Sequence, residues 1–273
     1  MLNNNVNNCF IYYYNKMKRE IKLEKFYTKI NTAKFCLEFL NLEDYDSIIE
    51  PSAGNGSFSN LLDCVAYDIE PERDDIIKAD FFKITKIKGE HKLFIGNPPF
   101  GARSTLAKAF IKHCIELGAE TIAFILPNTF NKLTLQKCFE NYKLKKIIPL
   151  DCDYQANGIN YFVPSSFFII TKKDCVDLRK TKPKELKSFR FLGREDKNAD
   201  FVISGNNGKV RDLSEVTNPK TEHYVKVNDG YDVSTVRRNL SNTKFEFYSS
   251  INGKLSYIGQ NDIKEAYGRQ FEI

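Results

Sequence analysis

An α/β fold on a largely parallel sheet, followed by a smaller β-rich region, is predicted by three observations. Short apolar runs alternate with helical spacing from about residue 47 to residue 171. Several of those runs end in an acid or an amide, which places Glu50, Asp68, Asp80 and Asn97 at the strand ends where ligands of such sheets sit. Beyond residue 188 the pattern becomes brief alternating runs punctuated by Gly and Asn.

Taken in order, Asn31 to Leu40 carries Ala33, Cys36, Leu37 and Leu40 on one helical face. Ile48-Ile49-Glu50 is a strand, Pro51 to Gly56 a glycine-spaced turn, and Ser57, Phe58, Leu61 and Leu62 follow at helical spacing. Val65 to Asp68, Ile76 to Lys78 and Lys92 to Ile95 read as further strands. A helix is expected over Ser104 to Leu117, with Ser104 or Thr105 capping its start and Leu106, Phe110, Cys114 and Leu117 facing the sheet. Thr121 to Leu126, Lys146 to Ile148 and Phe167 to Ile170 complete the strands, with a helix-like stretch at Leu133 to Phe139. Such alternation implies helices on both faces. The lysine-dense stretch 173–188 reads as a solvated linker or edge, and Phe189 to Phe191, Phe201 to Ile203 and Phe245 to Tyr248 as short strands.

The chemistry concentrates in Gly96-Asn97-Pro98-Pro99-Phe100. Consecutive prolines donate no backbone hydrogen bond and fix their φ, so the chain leaves its strand as a stiff loop. Such a loop displays an amide that donates and accepts on one side and an aromatic face on the other, which suits a planar substrate with an exocyclic NH2. An ordinary proline turn is the competing reading. The turn at Gly54 and Gly56 lacks the third glycine of a dinucleotide fingerprint and the Lys-Ser/Thr of a P-loop, so phosphate cradling is disfavoured. Asp68, about 20 residues beyond the first strand, is placed to accept from a ribose diol. Asp80 is placed to accept from an adenine amine, with Phe81 against the ring; each acid singly is equally a cap or turn residue.

The order Lys25-Phe26-Tyr27-Thr28, Glu50-Pro51-Ser52-Ala53-Gly54-Asn55-Gly56 and Asn97-Pro98-Pro99-Phe100 resembles the S-adenosylmethionine-dependent adenine-N6 DNA methyltransferases of the gamma motif order, over roughly residues 25–172. The resemblance implies a Rossmann-like class I methyltransferase sheet with S-adenosyl-L-methionine as cofactor. Phe26, Tyr27, Thr28, Glu50, Ser52, Gly54, Gly56, Asp68, Ile69, Asp80 and Phe81 would contact that cofactor. Asn97, Pro98, Pro99 and Phe100 would form the methyl-acceptor loop, and Phe100, with Phe162 or Tyr161, would stack on a base flipped out of double-stranded DNA. Lys29 stands where the family often has proline. Similar loops serve methyltransferases of RNA bases and of protein glutamine, so RNA is the alternative substrate and glutamine the third; a binding-only relative without turnover is a fourth reading. In domain terms, residues 1–24 are expected to be a partly disordered extension, 25–175 the catalytic domain and 185–273 a small target-recognition region; Met17 offers a second start.

A length of 273 residues accommodates such a domain and an appendage. Lys plus Arg number 41 against 35 acids, a net charge of +6 that is compatible with a polyanionic partner. Seven cysteines without a Cys-x-x-Cys pair read as reduced residues of an intracellular protein, and three scattered histidines predict no metal site. No apolar run approaches the ~18 residues of a membrane span, and the asparagine-rich start lacks the pattern of a secretion signal.

Overall fold

The computed structural model describes residues 27–150, 153–156, 159–162, 164–245 and 257–272, the two short stretches by backbone alone. Two compact units emerge, one comprising residues up to Phe130 together with Leu135–Arg179, the other Asn131–Thr134 together with the chain from Lys180.

The first unit is built on a seven-stranded sheet. Its strands are β1 (Ser47–Glu50), β2 (Val65–Asp68), β3 (Ile77–Lys78), β4 (Lys92–Gly96), β5 (Thr121–Pro127), β6 (Lys143–Leu150) and β9 (Ser165–Thr171), in the order β3-β2-β1-β4-β5-β9-β6. The first five pair in parallel, whereas β9 runs antiparallel between β5 and β6. This is the Rossmann-like class I sheet, with the order 3-2-1-4-5 and its switch point between β1 and β4. Every residue of β5 and β9 is buried, so both sheet faces are covered there. Helix α1 (Ile30–Leu37) buries Ala33 and Cys36, and α2 (Thr105–Glu116) buries Ala107, Phe110, Ile111 and Cys114, both at helical spacing. The short α3 (Leu133–Gln136), of which Leu133 and Thr134 are counted with the second unit, runs into a 3₁₀ turn at Lys137–Phe139. A hairpin of β7 (Asp153–Ala156) and β8 (Ile159–Phe162) precedes β9.

Two local expectations are corrected. Beyond the glycine loop the chain forms successive turns rather than a helix. Asn60 N donates to Gly56 O in helical fashion, but Leu61 N donates to Phe58 O and Ser59 N to the Glu50 side chain, so the helical ladder does not propagate. Nor does a side chain cap α2, because Ser104 adopts a left-handed φ of 59° and its Oγ lies 3.5 Å from Thr129 Oγ1.

In the second unit, β10 (Phe189–Phe191), β11 (Phe201–Ser204), β12 (Val210–Arg211) and β13 (Glu222–Val227) form an antiparallel sheet in the order β10-β13-β11-β12. Alternation is strict: Phe201, Ile203, Val225 and Val227 enter one cluster, while Val202 and Tyr224 join Ala199 in another. The first cluster is completed by Val236 and Leu240 of α4 (Val233–Asn242) and Ile263 and Tyr267 of α5 (Gln260–Phe271), helices not expected from the sequence. Of the Phe245 to Tyr248 run, residues 246–248 lie outside the described residues, as do residues 1–26. Cys36 and Cys114 are buried, Cys64, Cys138 and Cys175 half-buried, and all five are free thiols. Among the described residues no helix is long and apolar enough to cross a membrane.

Phe94, fully buried in β4 with its ring centroid 6.2 Å from that of Phe81 in an edge-to-face contact, joins the sheet to the chain after β3. Phe94→Ala is expected to destabilise the first unit by about 3–5 kcal/mol in denaturant unfolding followed by circular dichroism.

Candidate active site

The switch point between β1 and β4 fixes where the site forms. Glu50 closes β1 and Gly96 closes β4, and a Cβ on Gly96 would stand 3.6 Å from Glu50 Cγ, so the two strand ends are in contact. Glu50 is 2 % exposed. Its Oε2 accepts from Ser59 N at 2.8 Å and its Oε1 from Phe58 N at 3.4 Å, which folds the glycine loop back over the strand end. Burial, reinforced by the negative charge of Asp68, pushes the Glu50 carboxyl up to about 7 against those amide donors.

Asp68, at the end of β2, binds the other side of the same loop. Its Oδ2 accepts from Gly54 N and its Oδ1 from Glu70 N, each at 2.8 Å, while Ala53 N donates to Tyr67 O at 2.9 Å. Each carboxylate oxygen keeps a second lone pair for a ligand. Gly54 and Gly56 both have positive φ, 56° and 83°. A side chain at Gly54 would press on the Tyr27 ring at 3.2 Å, and one at Gly56 would strike the Arg73 guanidinium at 2.7 Å.

The Tyr27-Thr28 segment docks on this loop. Ser57 Oγ donates to Thr28 O at 2.7 Å, and the Tyr27 hydroxyl donates to the Glu72 carboxylate. Glu72 N also donates to Gly54 O at 3.1 Å, and Arg73 reaches the Asn60 side chain, so the stretch after β2 clasps both partners. The sequence reading missed this clasp, for Glu72 and Arg73 carry no local signal.

These segments enclose a cavity of about 240 Å³. Tyr27, Thr28, Glu50, Ser52, Gly54, Asp68, Ile69, Asp80, Phe81, Asn97 and Pro99 line it, joined by Pro51, Ser57, Ala79, Phe82, Leu106 and Phe110, which the sequence reading had not assigned to the site. Leu106 and Phe110 lie on the inner face of α2, as their helical spacing predicts, and that face forms the wall. Asp80 accepts from Phe82 N at 3.1 Å, so it is a turn cap and a cavity wall at once. Phe81 is 3 % exposed; its ring stacks on Phe110 with centroids 5.7 Å apart and meets the His113 ring edge-on, while the half-exposed Phe82 offers more open surface.

Gly56, Pro98 and Phe100 do not line the cavity. Phe100 is 3 % exposed, so protein covers the ring faces proposed for base stacking; its carbonyl accepts from Leu106 N and Ala107 N, tying the loop to α2. Phe26 and the side chains of Tyr161 and Phe162 lie outside the described residues. Among the described residues no group of three or more His, Cys, Asp or Glu is arranged for a metal ion.

The walls fit an adenosyl amino acid. Thr28 Oγ1 and Ser52 Oγ are buried with no hydrogen-bond partner among the described residues, Asp68 and Asp80 supply acceptors for hydroxyls and an amine, and Ile69 and Phe82 supply apolar cover.

No protein-family model and no curated protein matches this chain. Among solved structures, it is similar to a protein provisionally named an RNA methyltransferase from Pyrococcus horikoshii, at 14% identity and a TM-score of 0.45 over 56% of this chain and 88% of the other. A Thermoplasma acidophilum protein aligns at 21% identity and a TM-score of 0.40 over 56% and 94% of the two chains. A chain of the Pnkp1/Rnl/Hen1 RNA repair complex aligns at 16% identity and a TM-score of 0.31 over 53% and 42%.

The raised Glu50 carboxyl yields a pH test. In the unfolded chain Glu50 titrates near its ordinary value of 4.5, in the folded chain at about 7. The folded state therefore binds the extra proton between those values, and stability contributed by Glu50 falls as pH rises through that window. Glu50→Gln is expected to raise stability relative to the parent at pH 8 by roughly 1–3 kcal/mol, with the gain vanishing toward pH 4.5, measured by urea unfolding across pH.

Proposed function

We propose that this chain is an S-adenosyl-L-methionine-dependent N-methyltransferase that methylates the exocyclic N6 of adenine, with DNA as first substrate and RNA as the alternative. One observation carries the reading. Three segments far apart in sequence contribute walls to a single cavity at the β1/β4 switch point: Tyr27 with Thr28, the glycine loop through Glu50, Pro51, Ser52, Gly54 and Ser57, and the acceptor loop through Asn97 and Pro99.

Tyr27, Thr28, Glu50, Ser52, Gly54, Asp68, Ile69 and Asp80 would hold the cofactor, which supplies an electrophilic methyl group on a sulfonium. Asp68 would receive the ribose hydroxyls, because its oxygens retain acceptor capacity after binding Gly54 N and Glu70 N. Asp80 would receive the adenine amine of the cofactor, with Ile69 and Phe82 on its ring. Adenine N6 is a poor nucleophile, since its lone pair is delocalised into the ring. Asn97 Oδ1 and the Pro98 carbonyl would accept the two amine hydrogens, which draws the nitrogen toward a tetrahedral geometry with its lone pair directed at the methyl group. No strong base is required, so rate comes from position and electrostatics. Because Phe100 is covered, its stacking on a target base requires the acceptor loop to open when substrate arrives. The second unit, with its antiparallel sheet, is assigned to target recognition.

DNA and RNA adenines share the amine that Asn97 addresses, so one experiment carries both. Labelled S-adenosylmethionine is supplied with matched DNA, RNA and glutamine-containing protein, followed by nucleoside and amino-acid analysis. The expected product is N6-methyladenine in DNA. Label confined to RNA moves the assignment to the alternative, and label in protein alone removes adenine from it. Asn97→Ala is expected to lower turnover by about 10²–10³-fold, the scale for removing one preorganised polar partner. Asp68→Ala should weaken cofactor binding by about 10–100-fold, the worth of a hydrogen bond to a charged group, in equilibrium dialysis.

A further inference from the structure

The acceptor loop runs directly into α2 through a strained turn. Arg103 and Ser104 both adopt left-handed φ, 54° and 59°, a conformation that side-chain-bearing residues rarely take twice in succession. Gly101 before them has a φ of 70°, and a Cβ there would stand 2.9 Å from Leu106 N. This turn leaves the Arg103 side chain exposed between the Asn97 to Phe100 loop and the start of α2.

The helix continues the positive charge. Lys108 and Lys112 are one turn apart and so share a face of α2. Both lie near enough to the half-buried Cys138 to favour its thiolate, against the burial that pushes that thiol up to about 12. The same helix packs against the 3₁₀ turn Lys137–Phe139, whose Lys137 is exposed. None of Arg103, Lys108, Lys112 and Lys137 has an ion-pair partner among the described residues. The acid at the far end of the helix, Glu116, turns to His113 at 3.3 Å. Some lysines elsewhere on this unit are neutralised locally, as Lys143 is by Asp174 and Lys173 by Asp44 and Glu120, whereas others, Lys86 and Lys88 among them, have no ion-pair partner among the described residues.

We infer that Arg103, Lys108, Lys112 and Lys137 form a track for the phosphodiester backbone of a nucleic acid whose target base enters at Asn97. The inference rests on the reading of that loop as a methyl-acceptor site. It selects nucleic acid over protein glutamine, because a row of unneutralised cations beginning at the acceptor loop complements a polyanion and offers nothing specific to a neutral amide side chain. Phosphate contacts of this kind position the strand without reading its sequence.

Binding of fluorescein-labelled 20-nucleotide single-stranded RNA, its DNA counterpart and the corresponding DNA duplex is measured by anisotropy as a function of salt, without cofactor. Each phosphate contact contributes about 0.7 (single strand) to 0.9 (duplex) to the slope of log K against log salt, so Lys108→Gln/Lys112→Gln should lower it by about 1.4–1.8. Arg103→Gln alone should lower it by about half that amount. Lys86→Gln/Lys88→Gln, which removes two exposed charges elsewhere on the same unit, should leave the slope within error of the parent. Circular dichroism melting confirms that each variant is folded, and the arm bound most tightly by the parent at matched salt distinguishes RNA from DNA. An unchanged slope in both track variants, or an equal loss in the Lys86/Lys88 control, overturns the track. Because the measurement needs neither cofactor nor turnover, that result leaves methyl transfer standing, whereas failure to bind S-adenosylmethionine removes the acceptor-site reading and leaves the slopes interpretable.

Discussion

Two carboxylates at adjacent strand ends hold the site together. Glu50 takes the amides of Phe58 and Ser59, and Asp68 takes the amide of Gly54, so the glycine loop is fastened at both ends to the carboxyl edge of the sheet. Everything else in the cavity follows from that fastening. The loop has to pass close to its neighbours, which is why Gly54 and Gly56 take positive φ and why Tyr27 and Arg73 sit where a Cβ would reach. Thr28 is then drawn in through Ser57, and Glu72 closes the far side through the Tyr27 hydroxyl and Gly54 O. The like charge of Asp68 raises the Glu50 carboxyl further, so the fastening carries an electrostatic penalty that burial makes worse.

The sheet determines what stands opposite the loop. Because β4 lies beside β1 across the switch point, the rigid Asn97-Pro98-Pro99 exit faces the same crevice as Glu50. The loop's own prolines keep its backbone from pairing onward with the sheet, and Phe100 O anchors it to the first turn of α2. In the proposed reading, the cofactor and the acceptor amine meet where these two loops converge, and α2 then carries the phosphate track away from the meeting point.

Strand ends were legible in the sequence because each is a local pattern: an apolar run closed by Glu50, Asp68 or Asn97. The interior of β5 and β9 was legible as continuous apolar runs, since both faces are covered there. Side-chain competition for amides was not legible. Ser59 N goes to Glu50 rather than to a preceding carbonyl, and the helical spacing of Phe58, Leu61 and Leu62 gave no sign of it. Ties such as Tyr27 to Glu72 span 45 residues and leave no periodic trace. Helices α4 and α5 each bury only two residues, Val236 with Leu240 and Ile263 with Tyr267, so their apolar stripes were too thin against a polar background. The Asp232 cap, whose carboxylate accepts from Thr235 N at 2.7 Å, was the signal that would have revealed α4.

Amide hydrogen exchange with and without S-adenosylhomocysteine tests most directly the claim that these separated segments form one cofactor site. Protection is expected together at Tyr27-Thr28, Gly54 to Ser59, Asp68-Ile69 and Asp80 to Phe82, with the second unit unchanged. Protection absent from those segments, or confined to residues outside the cavity, would contradict the account.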